Sequence, residues 1–206
     1  PVIDDAVAGG LPLVLVNRAL QDTAIDAVVP DDRGGMELAV GHLAALGHRD
    51  IVHLAGPSST SSGRWRREGF RAAMKRRGLP LEAGLLASTN GFTERAGHDA
   101  TAALLAGGLR FTAIVAANDL LALGAYSALA EQGLRCPADV SVVGFNDMPF
   151  ADRFAPPLTT VHVPQHELGT RAADLLLEQF AQPRPVGRRV VIDVRLVVRG
   201  STQAVS

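Results

Sequence analysis

Thr112–Asp147 reads TAIVAANDLLALGAYSALAEQGLRCPADVSVVGFND, and the order of residue types in this stretch decides the fold. Ala113-Ile114-Val115-Ala116 is a short, wholly apolar run, the pattern of a strand buried on both faces. Asn118-Asp119 supplies capping side chains for a helix that runs to Gln132 and stops at Gly133. Val140 to Phe145 is a second apolar strand, closed by Asn146-Asp147. Strand, helix and strand at this spacing form a right-handed βαβ crossover between parallel strands.

The same rhythm extends outward in both directions. Upstream, Leu13 to Val16 and Ala27 to Val29 read as short strands. Asp31 or Asp32 caps a helix from Arg33 to Leu46, where Met36, Leu38, Ala39, Val40, Leu43 and Leu46 keep helical spacing. Ile51 to Ala55 is a strand, followed by the Ser/Thr-rich loop Ser58 to Gly63 and a helix from Arg64 to Arg77. Leu85-Leu86 is a weak strand, and Glu94 to Ala106 is a helix ended by Gly107-Gly108. Downstream, Pro156-Pro157 interrupts the pattern, because each proline fixes its own φ and restricts its predecessor. Thr159 to Val163 then reads as a strand, Pro164 to Phe180 as a helix and Val190 to Val198 as a late strand. Gly200 to Ser206 reads as a frayed tail.

In open parallel sheets ligands bind at the carboxyl ends of the strands. The residues following each strand are therefore the candidate site: Asn17 and Arg18, Ser58 to Arg64, Asn90 to Phe92, Asn118 and Asp119, Asn146 and Asp147. Amides, hydroxyls, a guanidinium and one aromatic ring suit a polyhydroxylated or heterocyclic small molecule better than a phosphate.

Bulk properties narrow the function. The chain has 206 residues, 47% hydrophobic and 20% charged, and a formal net charge of −1, which supplies no general attraction to nucleic acid or anionic lipid. Any DNA-gripping part lies outside it. No apolar run approaches the ~20 residues needed to span a bilayer. Cys136 is the single cysteine, so no internal disulfide forms, and it reads as a bland, partly buried thiol of a reducing compartment. No G-x-G-x-x-G, P-loop or G-x-S-x-G motif occurs, so dinucleotide, nucleotide and serine-hydrolase chemistries lose their signals. His42, His48, His53, His98, His162 and His166 form no metal-ligand pattern. The expectation is no enzyme, no cofactor and no metal site.

Four segments resemble the LacI-type bacterial transcription regulators: GHLAALGHRDIVHLAGP (41–57), the opening stretch 112–147, PPLTTVHVPQHELGTRAADLLL (156–177) and RLVVRGST (195–202). The last two distinguish these regulators from periplasmic sugar-binding proteins of transporters, the alternative reading on the same fold. The resemblance implies an α/β, type I periplasmic-binding-protein-like architecture, with two lobes of parallel sheet flanked by helices and an effector in the interlobe cleft. It implies an N-terminal lobe of residues 1–48 and 158–189 and a C-terminal lobe of 49–157 and 190–206, with crossings near Gly47, Pro156-Pro157 and within Val190 to Val194. Relatives begin with a helix-turn-helix and further βαβ units, so the resemblance implies that the N-terminal lobe here is incomplete and that the DNA-binding part precedes Pro1.

The resemblance also assigns residues. Arg64 falls where an arginine grips ligand oxygens, Phe92 where an aromatic ring stacks on ligand, and Asn118 where an asparagine bonds it, leaving Asp119 to cap the helix. A helix-start arginine and a core phenylalanine are the plain structural alternatives for Arg64 and Phe92. Asn17, beside Arg18, and Asn146 stand where many relatives carry aspartate. Losing both carboxylates points away from a simple sugar and toward an effector that presents acceptors or its own negative charge, such as a sugar acid. Leu121, Leu123, Phe150 and Phe154 fall in segments that pair subunits into homodimers in that family, with a place in the core as the plain structural alternative for each. The expected protein is cytoplasmic, has no membrane partner, and uses a small polar effector to control operator DNA binding allosterically.

Overall fold

The computed structural model describes residues 2–20, 23, 25–81, 83–181 and 187–205. They form two compact units, Pro1–Asp31 with Pro164–Asp193 and Asp32–Val163 with Val194–Ser206.

The smaller unit contains helix α1 (Val2–Ala8), strands β1 (Val14–Val16) and β2 (Asp26–Pro30), helix α6 (Gln165–Ala181) and strand β8 (Arg189–Ile192). Its sheet has the order β1-β2-β8 and is parallel throughout. Leu168, Ala172 and Leu175, spaced four and three apart, form the buried stripe of α6, which packs on β1 and β2. At the amino edge, buried Asp26 accepts from the Arg188 amide at 2.6 Å and from Gln179 Nε2 at 3.1 Å. Gln179 also pairs with both backbone groups of Leu13, so α6 pins the starts of β1 and β2.

The larger unit runs α2 (Asp32–Ala45), β3 (Ile51–Ala55), α3 (Ser61–Arg76), β4 (Leu86–Ser88), α4 (Glu94–Ala106), β5 (Ala113–Ala116), α5 (Asp119–Glu131), β6 (Ser141–Asn146), β7 (Thr159–His162) and β9 (Arg195–Val197). The sheet order is β4-β3-β5-β6-β7-β9, parallel except for antiparallel β9. Every residue of β3 and β5 is buried, which requires cover on both faces. Val52, Leu54, Ile114, Ala116 and Val142 face one side and join Ala96, Leu121, Ala125 and Leu129 of α4 and α5 in a core cluster. The alternate residues face α2 and α3: His53 stacks on Phe70 at 4.9 Å, and the Phe145 ring lies against Gly35 of α2. Glycine is required where α4 and α5 cross. A Cβ at Gly124 would lie 1.9 Å from the Glu94 carbonyl oxygen, and one at Gly97 would lie 2.3 Å from that of Leu121.

The elements follow the expected alternation, but three expectations about organisation are corrected. Helix α2, expected in the first lobe, buries Met36, Ala39, Val40 and Leu43 within the larger unit, where it packs against α3. The first crossing therefore falls at Asp31–Asp32 rather than near Gly47. Strand β7, also expected in the first lobe, pairs with β6 and β9, which moves the second crossing from Pro156-Pro157 to Val163–Pro164. The single late strand Val190 to Val198 is two, β8 in the smaller sheet and β9 in the larger, and the chain crosses between them at Asp193–Val194. Residues 182–186, part of the expected first lobe, lie outside the described residues.

Through Val205 the expected frayed tail is instead tied to the larger unit. Ser201 is fully buried, its hydroxyl accepting from the Thr159 amide at 2.8 Å and donating to the Val142 carbonyl at 2.6 Å. The Val205 amide bonds the Leu46 carbonyl at 2.9 Å.

Candidate functional site

In the larger sheet β4 lies on one side of β3, and β5, β6 and β7 lie on the other. The connection reverses direction between β3 and β5, and the crevice at their carboxyl ends is the usual ligand position in such sheets. The residues that converge on this switch point come from four segments.

Helix α3 begins under Thr60, whose hydroxyl accepts from the Gly63 amide at 3.0 Å. The cap starts the helix at Ser61, three residues before the expected Arg64. Arg64 is half-buried in the first turn, and its guanidinium donates to the Ser58 carbonyl at 3.2 Å. The buried stripe of α3 runs through Ser62, Arg66, Gly69, Phe70 and Ala73. Arg66, two residues from Arg64, is thus turned into the protein. Its Nε donates to Asp32 at 2.7 Å, its Nη1 to the Ala117 carbonyl, and its Nη2 faces Asn146 Oδ1 at 3.4 Å. Its guanidinium lies 3.8 Å over the Phe145 ring. Arg66 therefore ties together the start of α2 and the ends of β5 and β6.

Asn118 is 7% exposed and is itself the N-cap of α5, its Oδ1 accepting from the Leu121 amide at 2.9 Å. Its Nδ2 donates to the Phe92 carbonyl at 3.0 Å. The capping role expected of Asp119 is corrected: its carboxylate accepts instead from the Thr160 hydroxyl at 2.6 Å and the Met148 amide at 2.7 Å. Asp119 thereby fastens α5 to β7 and to the segment after β6. Burial raises its pKa to about 6, although both hydrogen bonds favour the ionised form. Phe92 is half-buried; its ring rests on the Gly56 backbone and packs against the core cluster. Asn146 sits at φ 116, a conformation asparagine tolerates better than most residues. Next to it, Asp147 bonds Arg199 at 2.7 Å and His162 at 2.9 Å. Burial alone would raise its pKa, but the hydrogen bonds from Arg199 and His162 hold it below the ordinary carboxylate range.

In the smaller unit Asn17 follows β1 at φ 60, with its amide bonded to the Val28 carbonyl at 2.8 Å. Its side-chain carbonyl is buried without a partner among the described residues, and Arg18 beside it is exposed. The structure thus brings Arg64, Phe92, Asn118 and Asn146 to the carboxyl edge of one sheet and Asn17 and Arg18 to that of the other.

Arg66 and Asp32 were missed at the sequence level. A signal was there: Ser62, Arg66, Phe70 and Ala73 keep the spacing of a single helical face, and an arginine on an apolar stripe requires an anionic partner.

The expected subunit-pairing residues divide. Leu121 is fully buried in the core cluster, which corrects its assignment to an interface. Leu123 is half-buried, and Phe154 packs edge-on to Tyr126 at 6.3 Å while touching the core. Phe150 is 62% exposed at φ 74, with Arg153 over its ring. Cys136 is half-buried beside the Ser201 carbonyl, and burial pushes its thiol up to about 12. Among the described residues, no three potential ligands are grouped to hold a metal ion, and no helix is long and apolar enough to cross a membrane.

Two α/β units, each with polar residues on the carboxyl edge of a parallel sheet, define a ligand-binding protein of the periplasmic-binding-protein class. The family model described as "Periplasmic binding protein-like domain" matches residues 40–202. The ribose operon repressor of Escherichia coli strain K12 is 37% identical over 191 residues, which are 93% of this chain and 58% of that protein. Among solved structures, the complex of the transcriptional regulator CelR with cellobiose superposes with a TM-score of 0.92 at 32% identity, over 98% of this chain and 62% of that one. A LacI family regulator from Enterococcus faecium with bound ribose gives 0.87 at 32% identity, over 100% of this chain and 76% of that one. The chain belongs to the LacI family of transcriptional regulators. It spans a little over half the length of the curated relative, and that relative is a repressor rather than an enzyme, in keeping with the absence of catalytic motifs.

Proposed function

We propose that this chain is the effector-sensing part of a cytoplasmic transcription regulator. In this reading it binds a small sugar-like metabolite at the carboxyl edge of the larger sheet and thereby alters the affinity of an attached DNA-binding domain for operator DNA. The observation that carries the proposal is the arrangement at the switch point. Arg66, Asn118, Asn146 and Phe92 supply donors, acceptors and an aromatic ring there, on a fold whose solved relatives hold cellobiose or ribose.

The coupling follows from how the site is built. Arg66, Asn118 and Asp119 hold the starts of α2 and α5, the residues that follow β5 and β6, and Thr160 within β7 through side-chain bonds to backbone groups and to other side chains. An effector that draws on the same groups favours one arrangement of these segments over another, and only such a difference in affinity between states shifts DNA binding. A coupling of about 1–3 kcal/mol is enough. Homodimers would pair through the surface carrying Phe150, Leu123 and Phe154.

Operator binding by the intact protein, followed by fluorescence anisotropy while sugars are titrated, tests this reading. A sugar-dependent change in operator affinity of about fivefold or more is expected. Sugar binding by a protein without DNA affinity would assign the chain to a transport receptor instead.

A further inference from the structure

Arg66 and Asp32 are each 2% exposed, and their contact is the most buried ion pair at the carboxyl edge of the larger sheet. Three N–H groups of Arg66 are committed to Asp32, Ala117 and Asn146, and its flat face is covered by Phe145. A guanidinium aimed at a cleft is ordinarily the natural receptor for a carboxylate or phosphate. Here that role is taken by the protein's own carboxylate.

The groups in direct contact with Arg66 do not restore positive charge to it. Asn118 and Asn146 are neutral. Asp147 is paired with Arg199 and hydrogen-bonded to His162, while Asp119 is bonded to a hydroxyl and an amide. Arg67 and Arg64 of α3 direct their guanidinium groups to neutral acceptors, the Ser88 hydroxyl and the Ser58 carbonyl, rather than to the groups around Arg66. An anionic effector brought to this edge would lose its water and meet a cation already neutralised at contact distance, with further carboxylates nearby. A neutral polyol loses far less on desolvation and can use the amides and the uncommitted guanidinium N–H groups.

We infer that Asp32 sets the charge preference of the effector site, so that the site selects uncharged polyhydroxylated molecules over sugar acids and sugar phosphates. This rests on the proposed effector-sensing role. It also reverses the expectation drawn from Asn17 and Asn146: replacing aspartate by asparagine at position 146 does not make the site positive, because Asp32 already supplies the negative charge facing Arg66.

Calorimetric titration of the intact protein with matched pairs tests the inference: D-ribose and D-ribose 5-phosphate, D-glucose and D-gluconate, D-galactose and D-galacturonate, cellobiose and cellobionate. In each pair that binds, the neutral member is expected to bind at least about tenfold more tightly. Asp32→Asn should lower that ratio by about tenfold or invert it, because it leaves the Arg66 charge unmatched. Should that variant fail to fold, Asn146→Asp serves in its place, because it adds a second carboxylate beside Arg66 and should preserve or sharpen the preference for the neutral member. A wild-type preference for the charged member would overturn the inference while leaving the sensing role intact, and would point to Arg64 as the anion receptor. Silence across the whole panel would overturn the sensing role itself.

Discussion

His53 makes a prediction that can be followed to a number. It sits in the middle of β3 with no exposed surface, and its Nδ1 donates to the Val115 carbonyl at 2.8 Å. Its Nε2 is buried without a partner among the described residues, and its ring stacks on Phe70. Protonation would place a cation in this setting, with Arg66 and Arg67 nearby. Burial therefore pulls the pKa from 6.5 down to about 4, although the bond to Val115 works in the opposite direction.

The folded state then binds fewer protons than the unfolded chain between the two pKa values. Its contribution to stability is complete above about pH 6.5 and is lost as pH falls toward 4. At about 1.4 kcal/mol per pKa unit, the full loss is about 3 kcal/mol, of which about 2 kcal/mol has gone by about pH 5.

Urea unfolding followed through Trp65, the single tryptophan, measures this in the larger unit. His53→Gln keeps a donor for Val115 and cannot titrate in this range. The variant should start less stable at neutral pH and lose about 2 kcal/mol less than the wild type on moving to about pH 5. Other titrating groups are common to both proteins and cancel in the difference. Parallel pH profiles for the two proteins would refute the assignment.

Three further outcomes are expected. Asp119 should show the opposite slope: its folded pKa, raised to about 6, lies above the unfolded value, so its contribution favours folding at low pH and is lost as pH rises through 6. Asp119→Asn should remove that slope, read by urea unfolding between about pH 4 and 7. Gly124→Ala drives a methyl group into the Glu94 carbonyl at the α4–α5 crossing and should cost about 3 kcal/mol or more, visible as a fall in Tm. Cys136 should react slowly with a thiol reagent in the folded protein and rapidly in urea, because burial suppresses its thiolate; fast labelling of the folded protein would contradict that burial.

Local chemistry alone determined most of the elements and the type of sheet, but not helix α1 or the division of the late strand into β8 and β9. Short runs rich in β-branched residues such as 51–55 and 113–116, bounded by turn residues, read as strands covered on both faces, and Glu94–Ala106 carries its helical period between a threonine cap and terminal glycines. The carboxyl-edge rule brought Arg64, Phe92, Asn118 and Asn146 to one sheet edge without coordinates, because strand polarity in a parallel sheet fixes which loops gather there. Tertiary structure alone decided what those residues do. The rotation of α3 about its axis, fixed by packing against α2, turned Arg66 rather than Arg64 toward the ends of β5 and β6. The burial of Met36, Ala39, Val40 and Leu43 carried α2, and Asp32 with it, into the larger unit. An ion pair between residues 34 positions apart leaves no periodicity in the chain. It exists only because two helices from different crossovers meet, and that meeting is set by the packing of the whole core rather than by any local run of residues.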